Sequence, residues 1–137
     1  MQENWKWFAI ENKGCIVLFS SMYGLESPYE EVYIPNLINN PIEYGVGKAG
    51  IIQMTKYFGA HWGKFGVRFN CVSSGPFPNN KVQKEQSDFI EKLNKKCPMG
   101  RIGHAIEIAG AELFLLSEVS SYVNGHNLIV DCGWTIW

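Results

Sequence analysis

The chain has 137 residues, 46% of them apolar and 18% charged, enough to bury one sizeable core and too short for several domains. Twelve basic and thirteen acidic residues nearly cancel, and with a pI of about 6.3 composition offers no basic surface for nucleic acid. Gly, Asn, Lys or Glu interrupts every apolar run well short of a membrane span. The opening MQENWKWFAIENKG mixes Lys and Glu into its apolar positions, unlike a signal peptide. The expected setting is cytoplasmic, with neither membrane nor nucleic acid as partner.

In chain order, Trp5, Phe8 and Lys13-Gly14 are spaced like the last turns of a helix ending at a glycine cap. Cys15-Ile16-Val17-Leu18-Phe19 follows, too short for a helix and apolar on both faces, the pattern of a buried parallel strand, and it runs into Ser20-Ser21. From Met22 to Glu43 the chain reads as a long irregular stretch with Pro28, Pro35 and Pro41, and loops of that length are usually functional or disordered. Val46, Ile51, Met54, Tyr57, Phe58 and Trp62 then recur at helical spacing between Tyr44 and about Lys64. Val67 to Val72 is a second strand, ending in the turn-rich Ser73-Ser74-Gly75-Pro76-Phe77-Pro78. A polar helix is predicted over Lys84 to Lys95, and another from about Ala105 to Leu116 with Ile108, Ala111 and Leu115 on one face. Ser117–Gly125 turns the chain into a third strand, Asn127 to Asp131. Strands alternating with helices predict an α/β fold with a parallel sheet, and three strands are few for a freestanding one.

Cys15, Cys71, Cys97 and Cys132 show no CxxC spacing and read as small buried hydrophobes; a disulfide pair or a zinc site would call for tighter clustering. His61, His104 and His126 are equally dispersed, so no metal site is predicted, and His104 beside Gly103 reads as a capping or surface residue. Gly45-Val-Gly47-Lys-Ala-Gly50 matches GxGxxG letter for letter. That fingerprint has physical meaning only at a tight turn between a strand and a helix, and here the glycines fall inside a predicted helix. There they are expected to allow close packing against the sheet or to leave room for a cofactor.

The residues that carry chemistry lie nearby. Tyr44 and Lys48 are four apart at the start of that helix, which places both side chains on one face. A cation held beside a phenol favours the phenolate and makes proton exchange with an alcohol or carbonyl feasible near neutrality. Ser21, ending the preceding strand, is placed to hydrogen-bond the same substrate oxygen.

YxxxK alone is a weak signal, and the order of features says more. A Gly-x-Ile-Val strand ends in Ser-Ser, YxxxK follows on a helix, then Val-Arg-Phe-Asn-Cys-Val, a Gly-Pro turn, and a final Tyr-Val-Asn-Gly…Val-Asp-x-Gly-Trp. In this the sequence strongly resembles the C-terminal half of a short-chain dehydrogenase/reductase, over nearly every residue. The resemblance implies the C-terminal half of a Rossmann-like doubly wound parallel sheet, one partial domain over residues 1–137, with the N-terminal nucleotide-binding half absent. It implies an oxidoreductase that interconverts an alcohol and a carbonyl with NAD or NADP. Ser21 would position the substrate oxygen, Tyr44 would exchange the proton, and Lys48 would support the phenolate and hydrogen-bond the nicotinamide ribose. Ser74-Gly75 maps onto the turn that cradles the nicotinamide, with the Phe77 backbone near its carboxamide. By the same resemblance the complete protein is a homo-oligomer, with Trp62 and the Trp134–Trp137 tail facing a partner subunit.

The sequence departs from the family pattern in three places. Ser74 stands where proline usually precedes the glycine, and Cys132 stands where a glycine is common, so that a positive φ there would strain it. The strand and Gly-rich turn that approach a pyrophosphate at a helix N-terminus have no counterpart before Gly14. Tyr23, Tyr29 and Tyr33, with Glu26, Glu30 and Glu31, make the long loop either a surface facing a polar, sugar-like or hydroxy-acid substrate or a cover over apolar core. The alternative to an enzyme half is a non-catalytic remnant, or an oligomerisation partner of an intact subunit.

Overall fold

The computed structural model describes residues 14–33 and 40–137. The predicted helix end around Trp5 and Phe8, together with Trp7 and Pro35, lies outside them. Three strands, β1 (Gly14–Ser21), β2 (Val67–Ser74) and β3 (Asn127–Val130), form a parallel sheet in the order β1-β2-β3. The helices are α1 (Ile42–Trp62), α2 (Asn80–Glu85), α3 (Ser87–Lys96) and α4 (Ala105–Leu116). Among the described residues no helix is long and apolar enough to cross a membrane.

β2 lies between the other two strands, and its burial shows it: Val67, Phe69, Cys71 and Val72 are each at most 3% exposed. β1 runs two residues past Phe19 to Ser21, and it is only half-buried for most of its length, with Phe19 43% exposed. Among the described residues it pairs on one side only, so its apolar run gains less burial than a two-sided parallel strand.

α1 differs from the expected apolar stripe. Ile52, Thr55 and Gly59 are its buried residues, whereas Val46 and Tyr57 are 64% and 56% exposed. Small residues bring the helix close to the chain before β3: a Cβ on Gly59 would sit 2.9 Å from the Gly125 backbone. Phe58 and Trp62 fill the remaining gap, with ring centroids 5.1 and 5.3 Å from Phe69 of β2. The polar helix expected over Lys84–Lys95 is two helices, α2 and α3, broken at Gln86 (φ −132°, ψ 58°).

The core beside the sheet joins distant segments. Met22, Tyr23, Val32, Leu93, Cys97, Ile102 and Trp134 form one buried cluster, with Tyr33 and Phe89 packed on it. Tyr23 and Tyr33 share a 2.8 Å hydroxyl–hydroxyl bond, and Lys92 of α3 donates to the Glu31 carbonyl at 3.1 Å. These two tyrosines therefore cover core, as the second expectation for the loop had it. Trp134 is fully buried within the cluster and so does not face a partner; Trp137 is 75% exposed.

Candidate functional site at the carboxyl edge of the sheet

The three parallel strands end together. Ser21 lies opposite Ser74, and Ser74 opposite Val130, so with strands about 4.8 Å apart the row is roughly 10 Å wide. In open parallel sheets ligands bind outside this carboxyl edge, where the loops leave the ladder.

α1 is fastened to one end of that row. Ser20 Oγ donates to the Lys48 carbonyl at 2.8 Å, and Lys48 Nζ donates to the Phe19 carbonyl at 3.0 Å. The 3-10 turn Met22–Gly24 leaves β1 directly onto the helix: a Cβ on Gly24 would lie 2.7 Å from the Lys48 carbonyl carbon and 2.8 Å from the Ala49 nitrogen. Ser21 Oγ accepts from the Tyr23 amide at 3.2 Å, which fixes the start of this turn. Tyr44 is 40% exposed, with Lys48 Nζ 5.4 Å from its ring centroid, within the range of a cation–π contact. The structure thus brings Lys48 both to Tyr44 and to the end of β1. Ser20 and Gly24, which hold this geometry, were not evident from the sequence. Among the described residues, Gly45 packs closely, its added Cβ 3.0 Å from the Tyr23 carbonyl oxygen, whereas a Cβ on Gly47 or Gly50 meets none of them within 4 Å.

Gly75 and Phe77 leave the middle strand, β2, and Gly75 abuts the end of β3. The Gly75 amide donates to the Val130 carbonyl at 2.9 Å, and a Cβ there would sit 2.5 Å from Asp131 Cα. Glycine is required by this approach. Phe77 packs its ring on Gly103 and lines a cavity of about 80 Å³ with Pro76, Met99, Arg101, Asp131 and Cys132. Arg101 reaches Glu107 through two bonds of 2.9 and 2.6 Å, and the His104 amide donates to the same carboxylate at 2.8 Å. These bonds, Arg101 first, pull the Glu107 carboxyl from 4.5 down to about 2. His104 is the N-cap residue of α4, as its position beside Gly103 suggested. Asp131 accepts from the Gly133 and Thr135 amides and from the Thr135 hydroxyl, so it anchors the tail.

At the opposite edge of the sheet, a wider recess is lined by Gly14, Arg68 and Asn124 among the described residues. Arg68 already donates to the Leu115, Ser117 and Val123 carbonyls and to Ser120, so it acts as a structural tie. Among the described residues no three His, Cys, Asp or Glu side chains converge as a metal site.

A three-stranded parallel sheet, with α1 tied by Ser20 and Lys48 to the carboxyl end of β1, defines an α/β chain of the Rossmann-like, doubly wound class. A family model described as Enoyl-(Acyl carrier protein) reductase matches residues 4–135. The chain belongs to the short-chain dehydrogenase/reductase family. It is 32% identical over 133 residues to the D-arabinitol 2-dehydrogenase [ribulose-forming] of Scheffersomyces stipitis, covering 91% of this chain and 44% of that one. Among solved structures, a short chain dehydrogenase from Leptospira borgpetersenii with bound NAD+ superposes with a TM-score of 0.82 at 38% identity, covering 96% of this chain and 48% of that one. A gluconate 5-dehydrogenase from Burkholderia cenocepacia in complex with NADP and tartrate does so at 0.78 and 27% identity, covering 96% and 49%. The chain spans about half the length of the relatives it matches.

The donor set at the carboxyl edge fits one end of a nicotinamide dinucleotide. A lysine ammonium, a phenol and a serine hydroxyl suit a ribose and a reacting oxygen. The GxGxxG of this sequence lies in α1, with Gly47 and Gly50 past its first turn, where helical hydrogen bonds occupy the amides and a pyrophosphate finds no cradle.

Proposed function

We propose that this chain is the catalytic half of an NAD- or NADP-dependent oxidoreductase that interconverts an alcohol and a carbonyl on a small polar substrate. The observation that carries the reading is the tie of α1 to β1, which sets Lys48 between Tyr44 and the end of the strand that carries Ser21. When bound, the nicotinamide gives or takes the hydride. Ser21, buried at the end of β1, hydrogen-bonds the substrate oxygen through its hydroxyl and orients it. Tyr44 Oη gives its proton to that oxygen in reduction and takes it back in oxidation. The Lys48 ammonium stabilises the oxyanion left on Tyr44 and would hold the nicotinamide ribose by a hydrogen bond. Gly75 keeps the floor of the site low, and the Phe77 backbone would help hold the nicotinamide end of the cofactor.

The relatives' names support polyols and sugar acids as the substrate class. A homo-oligomer is supported by the outward face of α1, where Ile42 is 77% and Val46 64% exposed. The test is a panel of polyols and hydroxy acids assayed with NAD and with NADP by absorbance of the reduced cofactor, in the protein that joins this chain to a dinucleotide-binding half. The expected result is turnover of at least one polyol or hydroxy acid with one cofactor preferred. Tight dinucleotide binding without turnover of any alcohol or carbonyl would contradict the reading and favour a non-catalytic remnant.

A further inference from the structure

One ammonium gathers three aromatic rings. Lys96, the last residue of α3, has its Nζ 4.8 Å from the Tyr29 ring centroid, 5.4 Å from Trp134 and 5.9 Å from Trp137. All three lie within the reach of a cation–π contact. Lys48 and Lys64, by contrast, each meet a single ring, Tyr44 and Phe65. Among the described residues Lys96 forms no salt bridge, so its charge is faced by rings and not by a carboxylate.

The rings differ in how they are held. Trp134 is fully buried in the core cluster and makes a fixed floor. Tyr29 is 44% and Trp137 75% exposed, so burial alone fixes neither of them over the cation. Trp137 meets Lys96 twice, because its indole Nε1 also donates to the Lys96 carbonyl at 3.0 Å. Chain order gives the cluster its meaning. Tyr29 lies in the connection after β1, Lys96 in the one after β2, and Trp134 and Trp137 in the turn after β3. Each of these connections leaves the carboxyl end of a different strand. Lys92, one turn before Lys96, joins only the first two, through its bond to the Glu31 carbonyl. The Lys96 side chain joins all three.

We propose that Lys96 is a three-way clasp: its ammonium closes the connections after β1, β2 and β3 into one wall beside the carboxyl edge. The wall holds while the cation stays among the rings and loosens as a unit when it leaves. Local opening of this kind is read in backbone amides whose bonds break with it. The wall carries such amides on both sides of the cation. Val32 and Tyr33 donate to the Tyr29 and Glu30 carbonyls, and Trp134 and Ile136 donate to the Asp131 and Gly133 carbonyls. The Thr135 amide donates to the Asp131 carboxylate. The clasp rests on these contacts alone and does not depend on the dehydrogenase reading.

The experiment is amide hydrogen–deuterium exchange of the full chain, read by peptide mass spectrometry, in wild type, Lys96→Met, Lys96→Arg and Lys95→Met. Methionine keeps the helix tendency of lysine without its charge, and arginine keeps a cation that stacks on rings. Lys95, whose ammonium pairs with Glu91 at 2.6 Å, sits on the same helix end. Its substitution therefore controls for the loss of a positive charge at the end of the helix dipole. Lys96→Met is expected to speed exchange about 2- to 10-fold in both 29–33 and 134–137, the range a cation–π contact supplies. Lys96→Arg and Lys95→Met are expected to match the wild type in both segments, and β2 to exchange alike in all four proteins. Wild-type exchange in either segment of Lys96→Met would overturn the proposal. So would a rise of the same size in Lys96→Arg or Lys95→Met, or one that extends to β2.

Discussion

Gly24 and Gly47 show how much a single residue's surroundings decide. Both are small residues beside the YxxxK stretch, yet a Cβ on Gly24 would collide with the Lys48 backbone at 2.7 Å while one on Gly47 meets nothing within 4 Å. Gly24→Ala is therefore expected to destabilise the fold by about 1–3 kcal/mol through overpacking. Gly47→Ala, inside a helix and facing open space, is expected to stabilise it by about 0.5–1 kcal/mol. Urea denaturation of the two variants checks the pair, and equal effects of the same sign would contradict the close approach at Gly24. This distinction was not legible in the sequence, where the glycines of GVGKAG look alike. The strain at Cys132 was legible as a condition, because cysteine standing in for a glycine is costly only where φ is positive, and φ there is 59°.

At the scale of elements, the entry to α4 is built from charge. Arg101 and the His104 amide hold the Glu107 carboxylate, whose carboxyl lies at about 2 against 4.5 when unperturbed. A carboxyl depressed by folding contributes stability that is present above its unfolded value and lost as the pH falls through the folded one. Wild type is thus expected to exceed Glu107→Gln in thermal stability near neutrality. The gap should close as the pH falls from about 4.5 to about 2. A gap independent of pH would refute the role of the charge. Helix α4 matched its expected span of Ala105–Leu116 because its apolar run and capping residues are local signals. The break at Gln86 and the buried Ile52-Thr55-Gly59 face of α1 were not foreseen. Both are set by what packs against the helices, which composition along one segment does not encode.

For the molecule as a whole, the order of strand, serine pair, YxxxK helix and glycine turn was enough to give the family and the parallel sheet. It also put Ser21 at the end of β1, Gly75 just past the end of β2, and Tyr44 and Lys48 near the start of α1. The place of Tyr23 and Tyr33 in the core depends on contacts between distant segments, so spacing could not disclose it. The same whole-molecule view bears on the cofactor. In the proposed function the carboxyl-edge groups hold only one end of a dinucleotide, and the GxGxxG of this chain lies inside α1. The 137-residue chain by itself is therefore expected to show no saturable tryptophan quenching by NADH at micromolar concentrations; a saturable titration would show that these residues suffice for binding.

The most direct test of the proton role is Tyr44→Phe in the protein that joins this chain to its dinucleotide-binding half, with kcat and cofactor affinity measured separately. Loss of a positioned acid–base group predicts a fall in kcat of about 10²–10⁴-fold, with nicotinamide cofactor affinity nearly unchanged. Unchanged turnover, or a loss explained wholly by weaker cofactor binding, would contradict the assignment of proton exchange to Tyr44.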